Sequence, residues 1–144
     1  MTATLLSRGV VGAAENLSLV VATVTRKKCR TLIVEDDPDS AKALSMILSR
    51  LGHETAIAET LARGRALLDD WSAECVLLDL NLPDGNGIAL LREIARDRKP
   101  IPVIVTTASN DPRLLREAET LGAIVLQKPI DLNRLIAELE RFEE

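Results

Sequence analysis

The chain has 144 residues, 47% hydrophobic and 28% charged, the balance of one globular domain rather than a fibrous or disordered chain. Tyr is absent and Phe and Trp occur once each, so the core must be built from Leu, Ile, Val and Ala, and a ligand pocket walled by aromatic rings is not expected. Residues 1–30 carry five basic side chains and one acid, whereas 31–144 carry 13 basic and 21 acidic ones; such an acidic body lacks the Lys/Arg footprint that neutralises phosphates, which excludes nucleic acid as a partner.

The first 29 residues read as an N-terminal extension. Arg8, Glu15 and Asn16 break every apolar run well short of the roughly 20 residues that span a bilayer, so no membrane segment is expected. The Arg, Ser and Thr content also fits some transit peptides, and LSLVVATV would pass for a strand packing on the domain or on a second copy. Cys29 and Cys75 have no Cys or His neighbours at ligand spacing, so neither zinc nor a disulfide is expected. Cys75 lies in an apolar run as a small buried hydrophobe, and this usage fits a reducing cytoplasm.

From residue 31 short β-branched runs alternate with longer stretches of helical period. Strands are predicted over 31–35, 54–58, 74–79, 101–106 and 123–127. Helices are predicted between and after them. In 38–51, Ala41, Leu44, Ile47, Leu48 and Leu51 share one face. Segments 86–97, 110–121 and 131–142 repeat that period, with Pro112 suited to a first turn, while Gly64 weakens 60–70. Asp37, just before Pro38, is the predicted N-cap of the first helix, and Asp39 complements its dipole.

Five strands alternating with five helices give an α/β domain, a doubly wound five-stranded parallel sheet with helices on both faces. Ligands of such sheets lie outside the carboxyl ends of the strands. The residues there are Glu35 and Asp36, then Asp79, then Thr106 and Thr107, then Lys128. Two like charges about 4 Å apart repel by about 4 kcal/mol at an effective dielectric near 20, so converging acids call for free solvation or a cation. An oxygen-only donor set suits Mg²⁺, with the Asn81 backbone carbonyl as a further ligand. Lys128, held by Pro129, could grip a phosphoryl oxygen as a point charge, and a threonine hydroxyl could donate to another. With Mg²⁺ and one ammonium present, the charges balance for phosphorylation of Asp79.

The acids after strand one, DLNLPDGNG after strand three, TTAS after strand four and QKP after strand five resemble the response-regulator receiver domain over residues 30–144. That resemblance implies a flavodoxin-like fold and Asp79 as phosphoacceptor. It implies Mg²⁺ held by Glu35, Asp36, Asp79 and the Asn81 carbonyl, Thr107 with the small Ala108 as the switch pair, and Lys128 on the phosphoryl group. The phosphodonor would be a histidine kinase or a histidine phosphotransfer protein, and the output a changed protein-binding surface over residues 110–142. The chain is expected to act as a stand-alone, cytoplasmic acceptor, not as an enzyme turning over a separate substrate. Two departures stand out: Val125 replaces the family's aromatic residue three before the lysine, and GAIVLQK is one residue short. They lend weight to a pseudo-receiver that binds partners without being phosphorylated.

Other readings are weaker. A Mg²⁺-dependent phosphohydrolase using Asp79 has little chain left for a substrate-enclosing cap. A flavin or nucleotide module would meet phosphate with backbone N–H groups after strand one, where EDDPD repels it. His53, in LGHE, is expected to be a satisfied or solvated histidine rather than a phosphodonor.

Overall fold

The computed structural model describes residues 29–97 and 100–142. In chain order they form β1 (Arg30–Val34), α1 (Pro38–Arg50), β2 (Glu54–Ala58), α2 (Leu61–Asp70), β3 (Cys75–Asp79), the two-residue strands β4 (Asn81–Leu82) and β5 (Gly85–Asn86), α3 (Ile88–Arg96), β6 (Val103–Thr107), α4 (Pro112–Thr120), β7 (Ile124–Gln127) and α5 (Leu132–Phe142). The extension expected over 1–29 lies outside the described residues up to Lys28, as do the last two residues, 143 and 144, of the expected receiver.

Five strands make one parallel sheet in the order β2-β1-β3-β6-β7, the flavodoxin-like arrangement, and β4 and β5 pair as a separate antiparallel hairpin. Side chains alternate across a strand, and each face of the sheet gathers one set. Leu32, Val34, Val76, Leu78, Val103 and Val105 pack with Leu61 and Leu68 of α2, Ile88, Leu91 and Ile94 of α3 and Ala118 of α4. Ile33, Cys75, Leu77, Ile104 and Leu126 pack with Ala41, Leu44 and Leu48 of α1 and Leu135 and Leu139 of α5. With helices on both sides, the inner strands need apolar residues at every position, which is why CVLL and VIV read as unbroken runs. Each such Leu or Ile contributes about 1.5–3 kcal/mol by leaving water.

The chain moves outward from β1 to β2, then crosses back past β1 to β3 and on to β6 and β7. The strand order therefore reverses between β1 and β3, and the crevice at their carboxyl ends is where such folds bind ligands.

Local chemistry sets the helix starts. The Asp37 carboxylate accepts from the Ser40 amide (3.1 Å) and hydroxyl (2.6 Å), with Pro38 opening the helix. The Ser40 hydroxyl and amide hold its pKa below the usual carboxylate range. This cap is therefore fully present at neutral pH and is lost as pH falls through that lowered value. Asp37→Ala is expected to lower the melting temperature while Mg²⁺ binding persists; a calorimetric melt and a Mg²⁺ titration on one sample check both. Asp111 caps α4 in the same way, accepting from the Arg113 amide at 3.0 Å before Pro112.

The element edges shift by one or two residues from the sequence expectation, for identifiable reasons. β6 begins at Val103 rather than 101 because Pro102 has no N–H to give, although its carbonyl still accepts from the Val76 amide at 3.0 Å. The helix expected from 86 begins at Ile88 because the preceding residues fold into the β4–β5 hairpin, whose two-residue strands are too short to leave an alternating pattern. Gly64, which weakens the helical pattern, serves a close approach: a Cβ there would meet Leu90 at 3.3 Å and Val34 at 3.4 Å.

Candidate functional site

At the carboxyl end of β1, Val34 is the last strand residue and Glu35 follows it, buried at 2% exposure. The Glu35 amide donates to the Ala58 carbonyl at 2.9 Å, which fixes the backbone as it leaves the sheet. Asp36 next to it is exposed. Asp79 ends β3 and is 4% exposed. One carboxylate oxygen from each of the three lies within 4.8 Å of the others.

Lys128 follows β7, and its ammonium joins two of these acids: Nζ donates to Glu35 Oε1 at 2.8 Å and to Asp79 Oδ2 at 2.9 Å. The remaining oxygens are also engaged. Asp79 Oδ1 accepts from the Asn81 amide at 3.0 Å, and Glu35 Oε2 accepts from the Asp37 amide at 3.2 Å. Burial pushes the Glu35 carboxyl above its ordinary value, against the lowering from Lys128 and the Asp37 amide. On Lys128 burial opposes the charge, but hydrogen bonds to Glu35 and Asp79 outweigh it and raise its pKa. Lysine is thus charged across the physiological range, and three carboxylates face one ammonium.

This arrangement suits a small divalent cation. The donor set is oxygen only, the acids carry more charge than Lys128 offsets, and exposed Asp36 leaves a side open to water, which Mg²⁺ retains in its shell.

β6 lies beside β3 with Thr106 in register with Asp79, and Thr107 is its last residue. Both threonines are buried. Alternation sets Thr106 with Ile104 and Thr107 with Val105, on opposite faces of the sheet. Thr107 is tied to the lysine backbone, since its carbonyl accepts from the Lys128 amide at 2.8 Å. Its hydroxyl accepts from the Ser109 amide at 3.0 Å, and Ala108 between them is exposed. Val125 is half-buried against the α2–α3–α4 side of the core.

The other sequence expectations resolve simply. His53 is buried, with Nδ1 at 2.9 Å from the Thr31 hydroxyl, a satisfied core histidine. Cys75 is fully buried in the α1–α5 side of the core, and neither cysteine is in a disulfide. Two supporting contacts lie beyond what the sequence shows, although Gly87 falls in its expected tight loop with Pro83 and Gly85. Asp84, at the hairpin turn, accepts from the Leu61 and Ala62 amides at 2.8 and 3.1 Å and so ties the loop after Asp79 to the start of α2. Gly87 donates its amide to the Leu80 carbonyl at 2.8 Å, and a Cβ on it would strike the Asp79 carbonyl oxygen. A bond reaching 23 residues away leaves no local signal; the crowding at Gly87 leaves only the glycine itself.

The family model of the response regulator receiver domain matches residues 31–140. The response regulator protein PilR of Pseudomonas aeruginosa is 35% identical over 107 residues, covering 74% of this chain and 24% of its own length. The transcriptional regulatory protein DpiA of Escherichia coli K12 is 34% identical over 116 residues, covering 78% of this chain and 51% of its own. The chain thus spans about half of one curated relative and about a quarter of the other. Among solved structures, a CheY-like response regulator receiver domain protein from Methanospirillum hungatei superposes with a TM-score of 0.75 at 27% identity, over 80% of this chain and 93% of that one. The non-phosphorylated HemR receiver domain from Leptospira biflexa gives 0.74 at 31% identity, over 81% and 94%.

Proposed function

The chain belongs to the response regulator receiver domain family, and from that premise we propose that it accepts a phosphoryl group on Asp79 from a phosphohistidine of a histidine kinase or histidine phosphotransfer protein. The receiver is assigned to residues 30–144, with 1–29 as an appended segment, and its place is the cytoplasm, whose reducing conditions suit a chain with neither cysteine in a disulfide. The observation that carries the reading is Lys128 Nζ bridging Glu35 and Asp79 while Asp36 stands beside them.

In the transfer, a carboxylate oxygen of Asp79 forms the new P–O bond as the donor's P–N bond breaks; the electron pair leaves on the imidazole nitrogen, which takes a proton from water. The Asn81 amide orients Asp79 by holding Oδ1. Lys128 is partly exposed and can transfer an N–H from Asp79 Oδ2 to a phosphoryl oxygen without losing Glu35. Glu35, Asp36, Asp79 and the Asn81 carbonyl are the ligands for Mg²⁺, which when bound neutralises carboxylate and phosphoryl charge. Thr107, with the small Ala108 after it, is the hydroxyl that donates to the phosphoryl group. The result is a covalent signal on the protein itself rather than turnover of a substrate, read by a protein partner on the α4–β7–α5 side.

A pseudo-receiver is the second reading, favoured by Val125, which has no ring to move. Incubation with phosphoramidate and Mg²⁺, followed by intact-mass measurement, separates the two. Chelation with EDTA should stop uptake, and Glu35→Ala or Asp36→Ala should weaken Mg²⁺ affinity about tenfold or more. Uptake unaffected by EDTA would remove Mg²⁺ from the account.

A further inference from the structure

The loop from β6 to α4 is held by an unusual concentration of bonds on one residue. Ser109 commits all three of its polar groups: its amide donates to Thr107 Oγ1 (3.0 Å), its hydroxyl accepts from the Asp111 amide (3.2 Å), and its carbonyl accepts from Gln127 Nε2 (3.0 Å). Asp111 in turn caps α4. Gln127 ends β7 immediately before Lys128, whose own amide donates to the Thr107 carbonyl at 2.8 Å. Thr107, Ser109, Gln127 and Lys128 therefore close a ring that joins two residues of the site to the first turn of α4.

Resting on the phosphoacceptor reading above, we propose that Gln127 is the positioning residue that sets the threshold for switching, by tethering the Ser109 carbonyl and holding the β6–α4 loop in its unphosphorylated path. A threonine hydroxyl has one hydrogen to donate and two lone pairs to accept with. Thr107 can thus donate to a phosphoryl oxygen while still accepting from the Ser109 amide. Drawing its Oγ1 toward Asp79 then drags Ser109, and with it Asp111 and the start of α4. Gln127 opposes that movement from β7, because its side-chain amide reaches across to the same residue. Val125, two residues earlier and on the same strand, has no polar side-chain atom with which to do this. The pull on α4 thus runs through the Thr107 hydroxyl and the Ser109 amide, and the Gln127 side-chain amide sets how much force it must overcome.

The test uses the full chain and two variants, Gln127→Met, close in size with no donor, and Gln127→Arg, which keeps N–H donors. In unphosphorylated protein, amide exchange at Ser109 and Asp111 should be about threefold faster in Gln127→Met and near wild type in Gln127→Arg, the effect of one exposed hydrogen bond. With Mg²⁺ present, the beryllium fluoride concentration that half-saturates the site, a phosphoryl mimic, should fall by about the same factor in Gln127→Met alone. A purely structural role would lower the melting temperature without tightening that binding. Equal or weaker beryllium fluoride binding in Gln127→Met overturns the tether while leaving phosphoacceptance standing. Failure of the wild type to bind it overturns the phosphoacceptor reading and the coupling with it.

Discussion

Asp79→Asn is expected to leave the chain folded and to abolish phosphoryl uptake from phosphoramidate. An amide cannot form the acyl phosphate, so the chemical consequence is complete. The structural consequence is small because opposing effects meet at this position. The Asn81 amide keeps an oxygen to donate to, and Lys128 keeps Glu35. What is lost is a charge-assisted bond from Lys128 to Asp79, about 1.5–3 kcal/mol. What is relieved is repulsion among three carboxylates whose oxygens lie within 4.8 Å of each other, where one pair about 4 Å apart costs about 4 kcal/mol at an effective dielectric near 20. Without Mg²⁺ the variant should melt no lower than the wild type. With Mg²⁺ the wild type should gain more thermal stability than the variant, because ligand binding stabilises in proportion to RT ln(1 + [L]/Kd). Paired melts with and without the ion, alongside intact-mass spectra, test both halves.

Among the described glycines, Gly87 is the one where an added methyl meets backbone most closely, and Gly87→Ala should be strongly destabilising. The new Cβ would collide with the Asp79 carbonyl oxygen and come within 3.1 Å of the Leu80 Cα and 3.2 Å of the Asp79 carbonyl carbon. All three are backbone atoms in the segment that presents Asp79, so none can rotate away. The expected cost is about 3 kcal/mol or more, at the upper end for overpacking, with Asp79 displaced and phosphoryl uptake reduced in whatever fraction folds. Gly64→Ala is the matched control. Its Cβ would meet only the ends of the Leu90 and Val34 side chains, at 3.3 and 3.4 Å, and these can yield by a few tenths of an ångström. Denaturant melts of the two variants should therefore differ clearly; similar losses would mean that the Asp79 loop yields as readily as a leucine methyl.

Much of this architecture was legible in the sequence because buried parallel strands and amphipathic helices leave distinct patterns. CVLLD and VIVTT read as strands, and the acids and lysine fell at strand ends, which sheet topology then brings to one edge. The split of EDDPD was legible too, since a proline after an aspartate marks a helix start: Asp37 caps α1, while Glu35 turns inward to Lys128. Less visible were interactions whose partners are distant in the chain. Asp84 caps α2 across 23 residues and Gln127 reaches Ser109 across 18, and neither alters local periodicity. The Pro83–Asp84 turn looks like any loop until the hairpin closes on both sides of it. Between the two threonines the resemblance picks Thr107 by its TA pairing with Ala108; its bonds to the Ser109 and Lys128 amides, made across a loop and between strands, leave no mark in the sequence.

The most direct test of the central claim is to map the modification on the wild-type chain after treatment with phosphoramidate and Mg²⁺, trapping the acyl phosphate by borohydride reduction before peptide mass spectrometry. A single acyl phosphate at Asp79, whose carboxyl carbon borohydride reduces to the alcohol of homoserine as phosphate leaves, is the predicted result. A folded, Mg²⁺-binding chain that takes up nothing, or one modified at another acid, would contradict it.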